Sequence, residues 1–207
     1  MDTKAFFKLS YGLYIVSSCH EDKQSGCVVN TLSQVTSKPA KLSVTISKDN
    51  FTEQIIEKSG YFAAIALTQN AEMDLIGEFG FKKSETVDKF AKFNSKMDEK
   101  GIKYITDSAA ARYSCKVINK LDLGTHIMFI GEVLEAEVLS EDKVMTYAYY
   151  HKVKKGITPK NSPSYKEETG QKGYRCKICG YVLEAEEVPE DFICPICGRG
   201  HDQFEKL

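Results

Sequence analysis

Apolar and polar residues alternate along Leu42-Ser-Val-Thr-Ile-Ser47, the period of two expected of a half-buried strand. Two strand-like runs precede it. Leu13-Tyr-Ile-Val16 follows Gly12, which breaks a short helix capped by Asp2 and running to Leu9. Cys27-Val-Val-Asn-Thr-Leu-Ser-Gln-Val-Thr36, rich in β-branched residues, follows the polar turn Glu21 to Gly26 and is ended by Lys38-Pro39. From Thr52, the expected N-cap, the period lengthens to that of a helix, with Ile55 and Ile56 apolar and Gly60 closing it. Tyr61 to Thr68 reads as another strand. Asn70 opens a helical stretch with Met73, Ile76 and Phe79 on one face, and Ser84 opens a second with Val87, Phe90 and Phe93. Strands return between Tyr113 and Leu139, where His126-Ile-Met-Phe-Ile-Gly-Glu-Val133 suits the core of a barrel. The sum is an α+β chain around a mainly antiparallel barrel, with no internal repeat.

Beyond Tyr150 the chain turns basic and the periodicity stops. Pro159 and Pro163 stiffen the first part of this stretch, and Gly170 and Gly173 loosen its end, as in a tether. The expected organisation is a barrel over 1–155, a linker over 156–172 and a small module over 173–207. At 207 residues and 42% hydrophobic the chain can hold one packed domain with an appendage. The module is shorter than the roughly 40 residues below which a chain needs a metal or disulfides to fold. A net charge of −1 gives no sign of a nucleic-acid partner, and no apolar run reaches the roughly 18 residues of a membrane span. The opening Met-Asp-Thr-Lys-Ala-Phe-Phe has no basic, then apolar, leader pattern, so a cytoplasmic location is expected, with Cys19, Cys27 and Cys115 as free, buried thiols. Charge divides unevenly: the module carries four basic residues against seven acidic, a net of −3, which leaves +2 on the remainder. Glu184, Glu186, Glu187, Glu190 and Asp191 form an acidic cap, which reads as a solvated surface or as one that guides docking on a basic partner or on the chain's own larger domain.

The module holds four of the seven cysteines. Cys176 and Cys179 make one CxxC and Cys194 and Cys197 a second, 14 residues apart, the spacing of a single tetrahedral metal bound by four thiolates. Gly180 and Gly198 follow the pairs, where a left-handed residue turns backbone N–H groups toward sulfur. Such a site takes zinc or iron, and spacing does not choose between them. With Tyr174, Tyr181, Phe192 and Phe204 as an aromatic core, and with Cys-Gly-Tyr181 and Cys194-Pro-Ile-Cys-Gly198 at the two pairs, the module resembles rubredoxin, which implies iron. Its inter-pair loop is shorter than in free-standing rubredoxins, as in modules fused to other redox proteins, and Phe192 stands where tryptophan is usual.

Ser47-Lys-Asp-Asn-Phe-Thr52 places hydroxyl, ammonium and amide groups just before a helix N-terminus, a good setting for an anion. Together with Asn30-Thr-Leu-Ser-Gln-Val-Thr-Ser-Lys-Pro39 and Leu123-Gly-Thr-His-Ile-Met-Phe-Ile-Gly-Glu-Val133, this segment is similar to the flavin reductase family with its FMN-binding split barrel, over nearly the whole first 155 residues. The resemblance implies that Asn30, Thr31, Ser33 and Gln34 run beside the polar edge of the flavin ring. It implies too that Ser47, Lys48, Asn50 and Thr52 hold the phosphate, and that His126 lies near the flavin. It further implies a homodimer. Tyr147 to Gly156 and Pro163-Ser-Tyr165 resemble the tail of the rubredoxin-fused members. No GxGxxG is present, so a nicotinamide would stack on the flavin itself.

Read together, the two resemblances imply an oxidoreductase that takes electrons from NADH or NADPH through FMN to an iron held by Cys176, Cys179, Cys194 and Cys197, and on to an acceptor such as a flavodiiron protein that reduces dioxygen or nitric oxide. No acid–base catalyst is required, because hydride transfer needs alignment more than proton chemistry. Two other readings fit the residues: an electron carrier reduced by a separate reductase, and an FMN-binding protein with a zinc-stabilised interaction module.

Overall fold

The structure is a computed structural model that describes residues 2–154, 156, 172–177 and 181–207. Apart from Gly156 and Lys172 the expected linker lies outside the described residues, as does Cys179.

Seven strands form one antiparallel sheet: β1 (Tyr14–His20), β2 (Lys23–Val29), β3 (Ser33–Ser37), β4 (Ala40–Ser47), β5 (Tyr61–Leu67), β8 (Ala109–Asp122) and β9 (His126–Val138). Helix α1 (Phe51–Ser59) joins β4 to β5. Helix α2 (Met73–Phe81) and the small hairpin β6 (Ser95–Met97) with β7 (Lys103–Ile105) lie between β5 and β8, and α3 (Tyr147–Lys152) follows β9. The strand order is β2-β1-β5-β8-β9-β4-β3. Strands β2 and β3 thus occupy opposite edges, yet only Asn30, Thr31 and Leu32 separate them. Four Cα steps span at most about 14 Å, whereas the edges of a flat seven-stranded sheet lie about 29 Å apart. The sheet must therefore curl until its edges meet, unpaired, at this three-residue link. The result is a split barrel.

Two cores follow from the period of two. Phe62 and Ala64 of β5 face one way with Val16, Cys27, Val29, Leu42, Val44, Ile46, Cys115, Ile127 and Phe129. Only a barrel interior collects side chains from β1, β2, β4, β5, β8 and β9 at once. A Cβ on Gly131 would come within 2.6 Å of the Phe62 ring and 2.8 Å of the Cys115 Cβ, so the interior leaves no room there. Ala63, Ile65 and Leu67 face outward with Ile15 and are covered by Leu75, Ile76 and Phe79 of α2, by Phe90, Ile102 and Tyr104, and by Tyr150 of α3. With both faces of β5 covered, its sequence is apolar throughout.

Five local expectations change, the first being the single run from Cys27 to Thr36, which is the end of β2, a three-residue link and most of β3. The cap of α1 is Asn50, whose side chain accepts a hydrogen bond from the Thr52 amide at 3.0 Å; Thr52 lies inside the helix. Gly60 closes α1 in the left-handed region at φ 73°. The stretch from Asn70 is helical only from Met73, and Thr3–Lys8 is a 3-10 turn. The helix expected from Ser84 does not form. Val87, Phe90 and Phe93 have helical spacing, but Ser84 Oγ and Lys89 Nζ both bond the Gly26 carbonyl, at 3.3 and 2.8 Å, and draw the segment across edge strand β2 as successive turns. Tertiary contacts outweigh the local pattern.

The C-terminal module is a three-stranded sheet, β11 (Val182–Leu183), β10 (Tyr174–Cys176) and β12 (Phe204–Lys206), in that order. Phe192 and Phe204 meet edge to face at 5.4 Å between ring centres. Cys176, Cys194, Cys197 and Phe204 are its buried centre.

Candidate functional site

A cleft of about 750 Å³, counting space open to solvent, lies where the barrel splits. The three-residue link supplies Asn30 and Thr31, the end of β4 supplies Thr45 and Ser47, the α1 cap supplies Asn50, and the start of β9 supplies His126. Leu13, Val29, Ile76, Phe81, Tyr147 and Tyr150 give it apolar walls. The register explains the convergence: Ser47 pairs with His126. Thr31 Oγ1 donates to the Thr45 carbonyl at 2.6 Å and accepts from the Thr45 amide at 3.3 Å, which pins the link onto β4.

One polar atom stands out. His126 Nδ1 lies 2.8 Å from Thr125 Oγ1, while its Nε2 is buried at the cleft with no hydrogen-bond partner among the described residues. A buried polar atom without a partner is costly. A bound molecule with a polar edge would satisfy it. Apolar walls, amide and hydroxyl groups on one rim and a nine-residue helix N-terminus at Asn50 together fit a planar ring that carries a phosphate tail.

The remaining expected contacts are placed elsewhere. Lys48 forms an ion pair with Asp122 at 2.7 Å. Thr52 is buried, its Oγ1 2.8 Å from Ser25 Oγ. Ser33 and Gln34 lie on exposed β3 and border a second depression with Tyr14, Leu42, Tyr113 and Val133. The structure thus gathers Asn30, Thr31, Ser47, Asn50 and His126 into the cleft and leaves Ser33, Gln34, Lys48 and Thr52 outside its lining. Sequence reasoning misses Cys27, Gly80, Phe81, Tyr147 and Tyr150 as cleft residues. The Tyr147-Ala-Tyr-Tyr150 run is the available signal; α3 is brought in because the Tyr147 amide bonds the Tyr11 carbonyl at 2.8 Å and Gly12 bridges Thr146.

Beneath the cleft, burial lowers the Lys89 ammonium to about 8, against the smaller pull of Cys27 and Glu78, and raises the Cys27 thiol. Burial likewise pushes Cys115, in the barrel interior, up to about 12. Neither thiol is poised as a nucleophile.

In the module, the sulfurs of Cys176, Cys194 and Cys197 lie within 4.8 Å of one another, and those of Cys176 and Cys197 are 3.6 Å apart. Metal–sulfur bonds of about 2.3 Å in a tetrahedron require sulfurs about 3.8 Å apart, so the cluster fits a thiolate-bound metal. Gly198, at φ 68°, lets its amide reach the Cys194 carbonyl at 2.9 Å and tightens the second knuckle. The Cys176 amide donates to the Tyr181 carbonyl at 2.8 Å. The fourth cysteine of the expected set, Cys179, lies outside the described residues.

Comparison with known proteins bears on both sites. Residues 6–158 match the flavin reductase like domain, and residues 174–205 match the rubrerythrin, rubredoxin-like domain. A high molecular weight rubredoxin of Moorella thermoacetica is 40% identical over the whole of both chains. A ferric-chelate reductase (NAD(P)H) of Archaeoglobus fulgidus is 42% identical over 81% of this chain and 99% of its own. Among solved structures, an NADH:FAD oxidoreductase of Streptomyces globisporus covers 69% of this chain and 84% of its own, with a TM-score of 0.63 at 22% identity, a likeness of fold.

Proposed function

The chain belongs to the flavin reductase-like family and carries a rubredoxin-like domain behind its barrel, and from that premise we propose that it is an NAD(P)H-oxidising oxidoreductase. It holds FMN in the cleft at the barrel split and one iron between Cys176, Cys179, Cys194 and Cys197. The observation that carries this reading is the presence, in one chain, of a cleft with an orphaned His126 Nε2 and a cluster of buried thiols at metal-binding separations. Bound FMN would supply the exchange between a two-electron hydride donor and a one-electron acceptor.

The chain's own residues do the rest. Asn30 and Thr31 present amide and hydroxyl groups to the ring edge, and Thr31 is already fixed by Thr45. Ser47 and Asn50, with the dipole of α1, favour the phosphate. His126 would offer its buried Nε2 to a polar atom of the bound ring or of a nicotinamide. Phe81, Tyr147 and Tyr150 exclude water from the apolar side. In the module, the bonds from the Gly198 amide to the Cys194 carbonyl and from the Cys176 amide to the Tyr181 carbonyl hold the backbone that carries the thiolates.

A homodimer accords with the exposed apolar side chains Val35, Ile118, Leu121, Leu134 and Val138 on β3, β8 and β9, and Leu123 in the turn between β8 and β9, an uncovered edge and ribbon unusual in a lone domain. Such an interface would bring Ser33 and Gln34, now at the surface, into a shared region. The electrons pass outward to a flavodiiron protein, in a cytoplasmic response to dioxygen or nitric oxide. A ferric chelate is a second acceptor, favoured by the Archaeoglobus relative, which matches 81% of this chain. No helix among the described residues is long and apolar enough to cross a membrane.

Stopped-flow mixing of the FMN- and iron-loaded chain with NADH, and separately with NADPH, tests the reading. One of them should bleach the flavin band and then the ferric band. Bleaching by neither, with reduction restored by an added reductase, would leave only an electron carrier. Purification with zinc and no ferric absorption would leave a binding module.

A further inference from the structure

Gly77, in the middle of α2, is buried, and a Cβ built on it would run into the backbone carbonyl oxygen of Ile196. Apart from its chain neighbours and the backbone of α2 itself, only the carbonyl group of Ile196 lies within 4 Å of that position among the described residues. Ile196 is the residue between Pro195 and Cys197 in the second metal-binding knuckle. The missing side chain therefore leaves a seat for the knuckle backbone on the barrel. One turn further along α2, Phe81 packs against the cluster of Cys176, Cys194, Cys197 and Phe204 while also lining the cleft at the barrel split. A single ring thus touches the thiolate cluster on one side and the cleft on the other. Ile76 and Gly80 of the same helix line the cleft beside it.

We propose that α2 is the docking seat of the C-terminal module, with Gly77 receiving the Ile196 carbonyl and Phe81 bridging cleft and metal cluster, so that the knuckle is positioned to take an electron from a molecule bound in the cleft. The functional part rests on the flavin and iron reading given above. In the transfer the cleft molecule loses one electron and the ferric ion becomes ferrous, with no bond made or broken at sulfur. A glycine in a helix interior is a poor helix former relative to alanine. Its presence in α2 is accounted for by the approach of the knuckle, because any side chain would displace a backbone group that cannot rotate away. Gly77 and Ile196 are positioning residues. They touch neither the cleft nor the metal.

The test is Gly77→Ala in the full-length, FMN- and iron-loaded chain. Alanine improves the helix and blocks the seat, so the two effects have opposite signs. Amide hydrogen exchange should quicken over residues 192–200 and along α2, while the thermal midpoint of the barrel stays level or rises. Flavin reduction by the nicotinamide should be unchanged, and the following ferric-to-ferrous phase should slow about tenfold, as a docked fraction cut to roughly a tenth requires. Gly80→Ala serves as the structural control for exchange: its nearest neighbour would be Val28 Cβ at 3.7 Å, ordinary contact, so protection over 192–200 should be retained. Unchanged exchange over α2 and 192–200 in Gly77→Ala would overturn the seat. Exchange does not depend on turnover. If exchange quickens but no nicotinamide reduces the flavin, the seat stands and the reductase reading falls.

Discussion

The barrel and the module are stabilised by different means, and the difference governs what each shows in its sequence. The barrel is organised by burial. Phe62, Phe129, Val44 and Ile56 are wholly inaccessible, and the interior collects side chains from six strands. The module has a buried centre of three described cysteines and Phe204, too little apolar area to balance the entropy of ordering even its short chain. A metal must make up the deficit. Burial spreads stability over many residues that resemble one another, whereas coordination concentrates it in four that do not.

The largest effect expected from this contrast is therefore the loss of the metal. Binding of a structural metal by thiolates contributes on the order of 10 kcal/mol, which becomes folding free energy when no preformed site exists. Cys194→Ser, or removal of the metal by a chelator after reduction, should abolish exchange protection over residues 174–206 and leave the barrel strands protected. Retained protection in the apo module would show that burial suffices there and would dissolve the contrast.

Smaller, and confined to the other region, is the effect of a cavity. Phe62→Ala removes a fully buried ring packed against Gly131 and Cys115. Such truncations cost about 3–5 kcal/mol, or roughly 10 °C in a domain of this size. Differential scanning calorimetry should show the barrel transition moving down by that amount, with the metal-to-thiolate absorption unaltered. A parallel loss of that absorption at room temperature would mean that the two regions fold as one unit.

The same contrast explains how much of the molecule is legible in its sequence. The thiolate site is legible because ligand spacing is local: two residues between each pair, and glycine after each. The barrel strands are legible where one periodicity rules, as in Leu42, Val44 and Ile46, or where both faces are covered, as in Tyr61 to Leu67. The cleft is legible only in part. Its lining comes from the β2–β3 link, β4, α1, α2, β9 and α3, and closure of the sheet, not spacing, brings these together. Asn30, Thr31, Ser47, Asn50 and His126 follow from resemblance and lie in the cleft. Ser33 and Gln34 come with them, but lie on the exposed edge strand, because the run from Cys27 to Thr36 is two strands on opposite edges and not one. Phe81 and Gly77 carry no motif at all. Their significance depends on which surface the module meets. The false helix after Ser84 has the same origin, since its apolar spacing is real but a backbone carbonyl on β2 captures Ser84 and Lys89.

Lys89 offers the last and smallest test, because both regions bury charge but compensate it in opposite ways. The module gathers negative sulfurs around a cation, so its weak side is acid, where protons displace the metal. The barrel buries an ammonium against dipoles: Lys89 Nζ donates to the carbonyls of Gly26 at 2.8 Å and Phe79 at 3.2 Å and lies 5.8 Å from the Phe79 ring centre. Burial lowers it from 10.5 to about 8, opposed by the attraction of Cys27 and then Glu78. A lysine depressed on folding costs stability wherever it is charged in both states, hence most fully below about pH 8. Between about 8 and 10.5 the unfolded chain holds more protons than the native one, so this group's contribution to stability rises with pH and then levels off. The full span is at most about 3 kcal/mol. Cys27, Cys115 and Tyr14, all raised by burial, act in the opposite direction above about pH 9 as the unfolded chain loses their protons first. The comparison must therefore be a difference between two chains. Urea unfolding of the wild type and of Lys89→Met at pH 7.5, 9 and 10.5 should show the wild type gaining on the variant by about 2–3 kcal/mol across the range. A gap that stays constant with pH would mean that Lys89 is not held below its ordinary value, and that the barrel, like the module, buries charge only where an opposite charge meets it.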